Sequence, residues 1–237
     1  MKKIFLVRHA KAEKRNFSQI DFDRKLTTRG EADALFCASF PGKSDWQRSR
    51  LISSNAPRAL QTAEIFARLG NYDLNAIGIE EMLYEDPDIP AMLQIIRKLP
   101  EEIETLMIFG HNPFMTDFAV YLCPAIFTDL PTAGIVGLAF EGSWKGIQPQ
   151  ILQLQLFEFP TAHLAVENLR STIREEFGAE IAQNVLAFLE KYAAEISTEM
   201  KKSIGKAADK IAAKFMETAK AHANMLLREK LLRLKTD

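Results

Sequence analysis

Three short apolar runs in this chain each lead to a basic or imidazole side chain, and that coincidence constrains the fold more than any other feature. Ile4-Phe5-Leu6-Val7 runs directly into Arg8-His9. Leu51-Ile52-Ser53-Ser54 passes through the turn Asn55-Ala56-Pro57 to Arg58 at a helix start. Leu106 to Phe109 ends in Gly110-His111. Such runs read as strands buried on both faces. Strands that alternate with helical segments imply a mainly parallel sheet covered on both sides. Parallel strands bring their C-terminal ends to one edge, where open α/β sheets hold their ligands. Two arginines, two histidines and a helix N-terminus at one edge make an anion pocket, and phosphate is its natural guest.

The elements between follow from periodicity and punctuation. A helix over 29–40 is expected to bury Ala32, Leu35, Phe36 and Ser39 and to end at Pro41-Gly42. Thr27 or Thr28 caps it; Thr28 has Glu31 at capping-box spacing. A helix over 58–69 turns Leu60, Ala63, Phe66 and Ala67 inward, with Pro57 in its first turn and Gly70 at its end. Residues 76–83 read as a third, weaker strand leading into a loop, Tyr84-Glu85-Asp86-Pro87. Helices follow over 90–99 and 113–122, the second with Phe114, Phe118 and Tyr121 or Leu122 inward. Residues 135–140 and 151–159 form a last pair of strands joined by a turn at 142–146.

Composition narrows the function classes. With 47% hydrophobic residues in 237, a sizeable core is available. A formal net charge of −1 gives no global pull toward nucleic acid or a membrane. The N-terminal apolar run is interrupted by Arg8 and His9, too early for a signal segment, so a cytoplasmic protein is expected. Cys37 and Cys123 lack metal-ligand spacing, and Cys37, beside Leu35, Phe36 and Phe40, reads as a reduced core residue. No Asp or Glu stands near His9 and His111 at a spacing that would complete a metal site.

The motifs around these residues resemble the histidine phosphatase superfamily, the phosphoglycerate-mutase-like fold. Its Arg-His-Gly/Ala signature stands here as Arg8-His9-Ala10, its second arginine stretch as Ser54-Asn55-Ala56-Pro57-Arg58-Ala59-Leu60-Gln61-Thr62-Ala63, and its late histidine in Gly110-His111-Asn112-Pro113. Arg8 to Ala12, Leu26 to Gly30, Gly110 to Pro113 and Pro131-Thr132-Ala133-Gly134 are similar to the small SixA-type phosphohistidine phosphatases. Ala10 stands where most of the superfamily has Gly, and Lys25 where the subgroup often has Pro. The long insertion that binds phosphosugars in larger relatives is absent.

The resemblance implies a three-layer α/β/α sandwich over residues 1–160 and a phosphatase with no cofactor or metal. His9 would be the nucleophile, with Arg8 and Arg58 keeping its imidazole neutral and a backbone carbonyl on its other ring nitrogen fixing the tautomer. Arg8, Arg58 and His111 would hold the phosphoryl oxygens. Glu81 and Glu85 are the candidate proton donors, since larger relatives carry an acid in the loop after the third strand. An imidazole leaving group carrying its own proton would make a strong acid dispensable. Lys11 could add charge at the pocket mouth, and Thr132 could touch the phosphate loop or simply start the last hairpin. The expected substrate is a phosphohistidine protein. The alternatives are a small-molecule phosphomonoesterase and a non-catalytic module that binds phosphorylated groups.

After Pro160 the composition changes. Residues 161–237 lack proline, contain only Gly178 and Gly205 as glycines, and are rich in Ala, Leu, Lys and Glu, which predicts an all-α extension of about three helices. Ile204, Ala208, Ile211, Phe215, Ala219 and His222 mark one face of the last. Residues 161–200 hold three Arg/Lys against seven Glu, net −4; residues 201–237 hold ten Lys/Arg against four Asp/Glu, net +6. The two segments suit either a hairpin on the chain's own core or a homodimerisation or partner-docking element. The lack of Trp and the acidic neighbour argue against a membrane-surface helix.

Overall fold

The computed structural model describes residues 1–15, 20–123, 125–126 and 129–160. Met1–Pro160 is one compact unit. The expected helices of 161–237, with the dimerisation reading attached to them, lie outside the described residues.

Six strands form one sheet: β1 Lys2–Arg8, β2 Ser49–Ser53, β3 Gly78–Ile79, β4 Thr105–Gly110, β5 Ile135–Phe140 and β6 Gln153–Glu158, in the order β3-β2-β4-β1-β5-β6. The β3–β2, β2–β4 and β4–β1 pairs are parallel; β5 runs antiparallel to β1 and to β6. Helices α1 Thr28–Ala38, α2 Lys43–Gln47, α3 Pro57–Leu69, α4 Met82–Glu85, α5 Ile89–Arg97 and α6 Phe114–Leu122 complete the fold.

The three layers follow from period-2 alternation in strands whose two faces are both apolar. Ile4 and Leu6 of β1, with Leu106 and Ile108 of β4, face Met92 and Ile96 of α5 and Phe118 and Leu122 of α6. Phe5 and Val7, with Met107 and Phe109, face Ala34 and Cys37 of α1 and Ala63 and Phe66 of α3. The register Val7↔Phe109 and Arg8↔Gly110 brings β1 and β4 to the same edge in step. His9 N–H continues the ladder by donating to Gly110 O at 2.9 Å, and Ser54 N–H donates to Phe109 O at 2.9 Å.

Several local expectations need correction. Of the two caps expected for α1 the structure has Thr27, whose hydroxyl accepts the Gly30 N–H at 3.0 Å. The inward face of α1 carries Gly30, Ala34, Cys37 and Ala38; Ala32 and Ser39 are exposed, Phe36 is half-buried, and Leu35 is 53% exposed. Backbone approach sets this rotation: a Cβ on Gly30 would lie 2.1 Å from Lys11 O, so α1 rests directly on the segment after β1. Residues 76–83 contain only the two-residue strand β3, preceded by a 3₁₀ turn at Leu74–Ala76, and the expected loop at Tyr84-Glu85 is the end of α4. Helix α2, after Pro41-Gly42, has no counterpart in the sequence reading; Asp45 accepts the Gly42 N–H at 2.8 Å to start it.

The Gly30 contact is testable. Gly30→Ala should destabilise by about 1–3 kcal/mol in a urea titration, because the neighbour it meets is backbone that cannot swing aside. Gly146→Ala meets only Ser143 Oγ, at 3.6 Å, and should stay within about 0.5 kcal/mol of wild type.

Candidate active site

The C-terminal edge of the parallel strands assembles the site from four chain-distant segments. His9 follows β1, Ser54 follows β2, Arg58 opens α3, and His111 follows β4. The His9 and His111 ring centroids are 4.9 Å apart, tilted by 56°. Arg58 Nε donates to His9 Nε2 at 3.3 Å. All four residues expected to line an anion pocket therefore belong to one edge, with Arg58, His9 and His111 in one contiguous cluster.

His9 Nδ1 lies 2.8 Å from Ala10 O. A carbonyl only accepts, so Nδ1 carries the proton and Nε2 the lone pair. Burial pushes His9 down to about 4, against the opposing pull of the Ala10 carbonyl; Arg58, Arg8 and Arg24 add to the depression. Burial also lowers His111, to about 3, helped by His9 and Arg58. Both rings are neutral at pH 7.

Arg58 is only 4% exposed, so its charge has to be met inside the protein. Its Nη1 donates to Asp21 O at 2.8 Å and its Nη2 to Asp21 Oδ2 at 3.1 Å. Arg24 Nη2 sits 2.9 Å from the other carboxylate oxygen of Asp21, and Tyr84 OH lies 3.4 Å from Oδ2. Burial alone would raise Asp21, but Arg58 and Arg24 outweigh it and hold the carboxyl below its usual range. Tyr84 also meets the Arg58 guanidinium at 5.5 Å and His111 edge-on at 5.4 Å. Phe22 packs edge-on against Tyr84 at 5.1 Å.

Arg8 is anchored on the other side. Its Nη1 donates to Leu130 O at 2.8 Å, an oxygen that also accepts Asn112 Nδ2 at 3.1 Å. Arg8 Nε, Arg24 Nε and His111 Nδ1 are buried with no hydrogen-bond partner. Buried polar groups without partners are rare, and three nitrogens from the residues around His9 fit a site for an oxyanion.

Two residues of the second arginine stretch are scaffold. Thr62 Oγ1 accepts Ala10 N–H at 3.1 Å and donates to Arg58 O at 2.7 Å, tying α3 to the segment after His9. Gln61 Oε1 accepts Leu26 N–H at 2.8 Å and fixes the start of the α1 loop.

Glu81 and Glu85 sit at the two ends of α4. Glu81 is exposed at the head of α4 and Glu85 is exposed at its last position, and among the described residues neither bonds to His9, Arg8, Arg58 or His111. Helix α4 brings Tyr84 to the site instead. Asp21, Arg24 and Tyr84 escaped the sequence reading. Asp21 and Arg24 lie in a stretch that reads as polar loop, and Tyr84 in one that reads as a turn. Lys11 and Thr132 are exposed.

Residues 4–107 match the family model of the histidine phosphatase superfamily, branch 1. An uncharacterized protein of Mycobacterium tuberculosis is 28% identical over 156 residues, 59% of this chain and 91% of that one. A crystal structure from Agrobacterium tumefaciens, assigned as a phosphohistidine phosphatase SixA, superposes with a TM-score of 0.52 at 26% identity, covering 67% of this chain and 99% of its own. The protein histidine phosphatase SixA complexed with tungstate shares the fold, with a TM-score of 0.58 at 19% identity over 68% of this chain and 99% of that one. The described part of this chain has the fold of the histidine phosphatase superfamily, and the chain resembles that superfamily's SixA-type phosphohistidine phosphatases.

Proposed function

We propose that this protein is a phosphatase that works through a covalent phosphohistidine on His9, with a protein-borne phosphohistidine as substrate. The observation that carries the reading is the state of His9: its Nδ1 proton is committed to Ala10 O, and its Nε2 lone pair opens onto Arg58. A neutral imidazole with a fixed tautomer is a nucleophile at pH 7 without a separate base. In the first step the Nε2 lone pair bonds to phosphorus while the bond to the leaving group breaks and its electron pair departs with that group. In the second, water attacks phosphorus, the P–N electron pair returns to His9 Nε2, and one water proton passes to a phosphate oxygen of the departing product. Arg58, Arg8 and the His111 ring N–H stabilise the charge spread over the phosphoryl oxygens.

The choice of substrate turns on the demand for a proton donor. Cleaving an alkyl ester bond calls for a positioned acid, and among the described residues neither expected carboxylate, Glu81 or Glu85, bonds to His9, Arg8, Arg58 or His111. Imidazole leaves readily when its second nitrogen carries a proton, so a phosphohistidine asks least of this site. The resemblance to an assigned SixA phosphohistidine phosphatase supports the same choice.

Phosphate release from p-nitrophenyl phosphate and from a phosphohistidine carrier protein, both with EDTA, tests the reading. The carrier protein should have the higher kcat/KM, and His9→Ala should abolish turnover of both. Preference for the aryl phosphate would favour the small-molecule phosphatase. A wild type inert on both that still bound phosphate would establish a binding module.

Three further outcomes are expected. Glu81→Gln and Glu85→Gln should each leave aryl phosphate turnover within about two-fold of wild type, because both are exposed and neither bonds to His9, Arg8, Arg58 or His111 among the described residues. Asp21→Asn should lower kcat by about 10–100-fold by loosening Arg58, read in steady-state kinetics. Stability should fall with pH in a defined window. The unfolded chain protonates His9 and His111 near 6.5, the folded chain only near 4 and 3, so stability is full above about 6.5 and is lost as pH falls toward 3 to 4. The double variant His9→Gln/His111→Gln should show a shallower fall of Tm between pH 6.5 and 4.

A further inference from the structure

Ser54 lies at the end of β2 with no exposed surface. Its backbone N–H is bonded to Phe109 O, so the residue is fixed against the strand that delivers His111. Its hydroxyl oxygen accepts the Ala56 N–H at 3.2 Å and lies 3.0 Å from His111 Nε2. On the opposite side of the ring, His111 Nδ1 is buried with no partner.

A neutral imidazole has one N–H and one lone pair, and two assignments are open. With the proton on Nε2, His111 would donate to Ser54 Oγ. The hydroxyl proton would then have no acceptor among the described residues, and Nδ1 would offer a buried lone pair to a site built to take an anion. With the proton on Nδ1, Ser54 donates its hydroxyl proton to Nε2 while accepting from Ala56. Every polar atom of the serine is then used, and the unpartnered nitrogen becomes an N–H donor. Leaving a buried polar group unpaired costs about 1–3 kcal/mol, so the second assignment prevails.

We propose that Ser54 is a positioning residue that holds His111 in its Nδ1–H form, so that the ring presents a neutral N–H to a phosphoryl oxygen. The inference rests on the reading of His111 as a phosphoryl contact. It also gives that residue a definite role: His111 donates a hydrogen bond and does not take a proton from water. The two histidines then have the same tautomer for opposite ends. His9 is protonated at Nδ1 to free Nε2 for attack, and His111 is protonated at Nδ1 to use that proton itself.

The test is a long-range ¹H–¹⁵N correlation spectrum of the full chain labelled with ¹⁵N-histidine, at pH 7. The chain has 4 histidines, and His111→Gln assigns the one of interest. Wild-type His111 should show a protonated Nδ1 and a bare Nε2. Ser54→Ala should move the proton to Nε2, wholly or in part, and lower kcat/KM by about 10–1000-fold, since a triad histidine left in the wrong tautomer loses about 10⁴. Ser54→Thr, which keeps the hydroxyl, should restore both readings, and Ser54→Cys, close in size with a weaker donor, serves if the alanine variant does not fold. A wild-type spectrum with Nε2 protonated, or Nδ1–H retained in both Ser54→Ala and Ser54→Cys, would overturn the proposal. The spectrum is read on the resting protein, so an inactive wild type would remove the phosphatase reading while the tautomer assignment stood.

Discussion

The site depends on how a buried guanidinium is satisfied. Arg58 opens α3 beneath the sheet edge, and water cannot meet its charge there. The fold therefore brings Asp21 to it from a separate turn, with a main-chain oxygen and a carboxylate oxygen on its two terminal nitrogens. That arrangement turns Nε toward His9 and leaves Tyr84 to close over the cation. Arg24 then shares Asp21, which keeps the carboxylate ionised and adds positive potential at His9. The pair is buried on one side only, Asp21 being about one-third exposed, so it orders the pocket more than it stabilises the fold.

Positive charge and neutral imidazole are made by the same arrangement. Dry surroundings and three nearby arginines make an extra proton on either histidine costly. The cations that would hold a phosphoryl group therefore also keep His9 Nε2 unprotonated. The partners of the far ring nitrogens, Ala10 O accepting from His9 Nδ1 and Ser54 Oγ meeting His111 Nε2, decide where the single remaining proton sits. Electrostatics sets the charge state and local geometry sets the tautomer.

Much of this was legible in the sequence, for identifiable reasons. Strands buried on both faces write continuous apolar runs, so β1, β2 and β4 were readable, and parallel topology places whatever follows them at one edge. Arg8, His9, Arg58 and His111 could be found because each directly follows such a run or opens the next helix. The α1 face was misread because a backbone contact at Gly30 rotates the helix, and periodicity carries no information about a residue without a side chain. Short elements failed for a related reason: α2 and α4 have too few residues to show a period. Asp21 was invisible because Arg58 and Tyr84, which it meets, stand 37 and 63 positions further on, and Arg24 because its partner Asp21 lies in a three-residue 3₁₀ turn too short to show a period.

The ladder bond from His9 N–H to Gly110 O also has a kinetic side. It joins residues 101 positions apart, and the strands it extends are the central pair of the sheet. Closing a loop of that length is slow compared with forming the local helices. During synthesis the segment carrying His9 and the segment carrying Arg58 both leave the ribosome well before the strand that completes the edge. A growing chain therefore carries His9 and Arg58 long before it carries His111, and the edge that gathers them is complete only when β4 lies between β1 and β2.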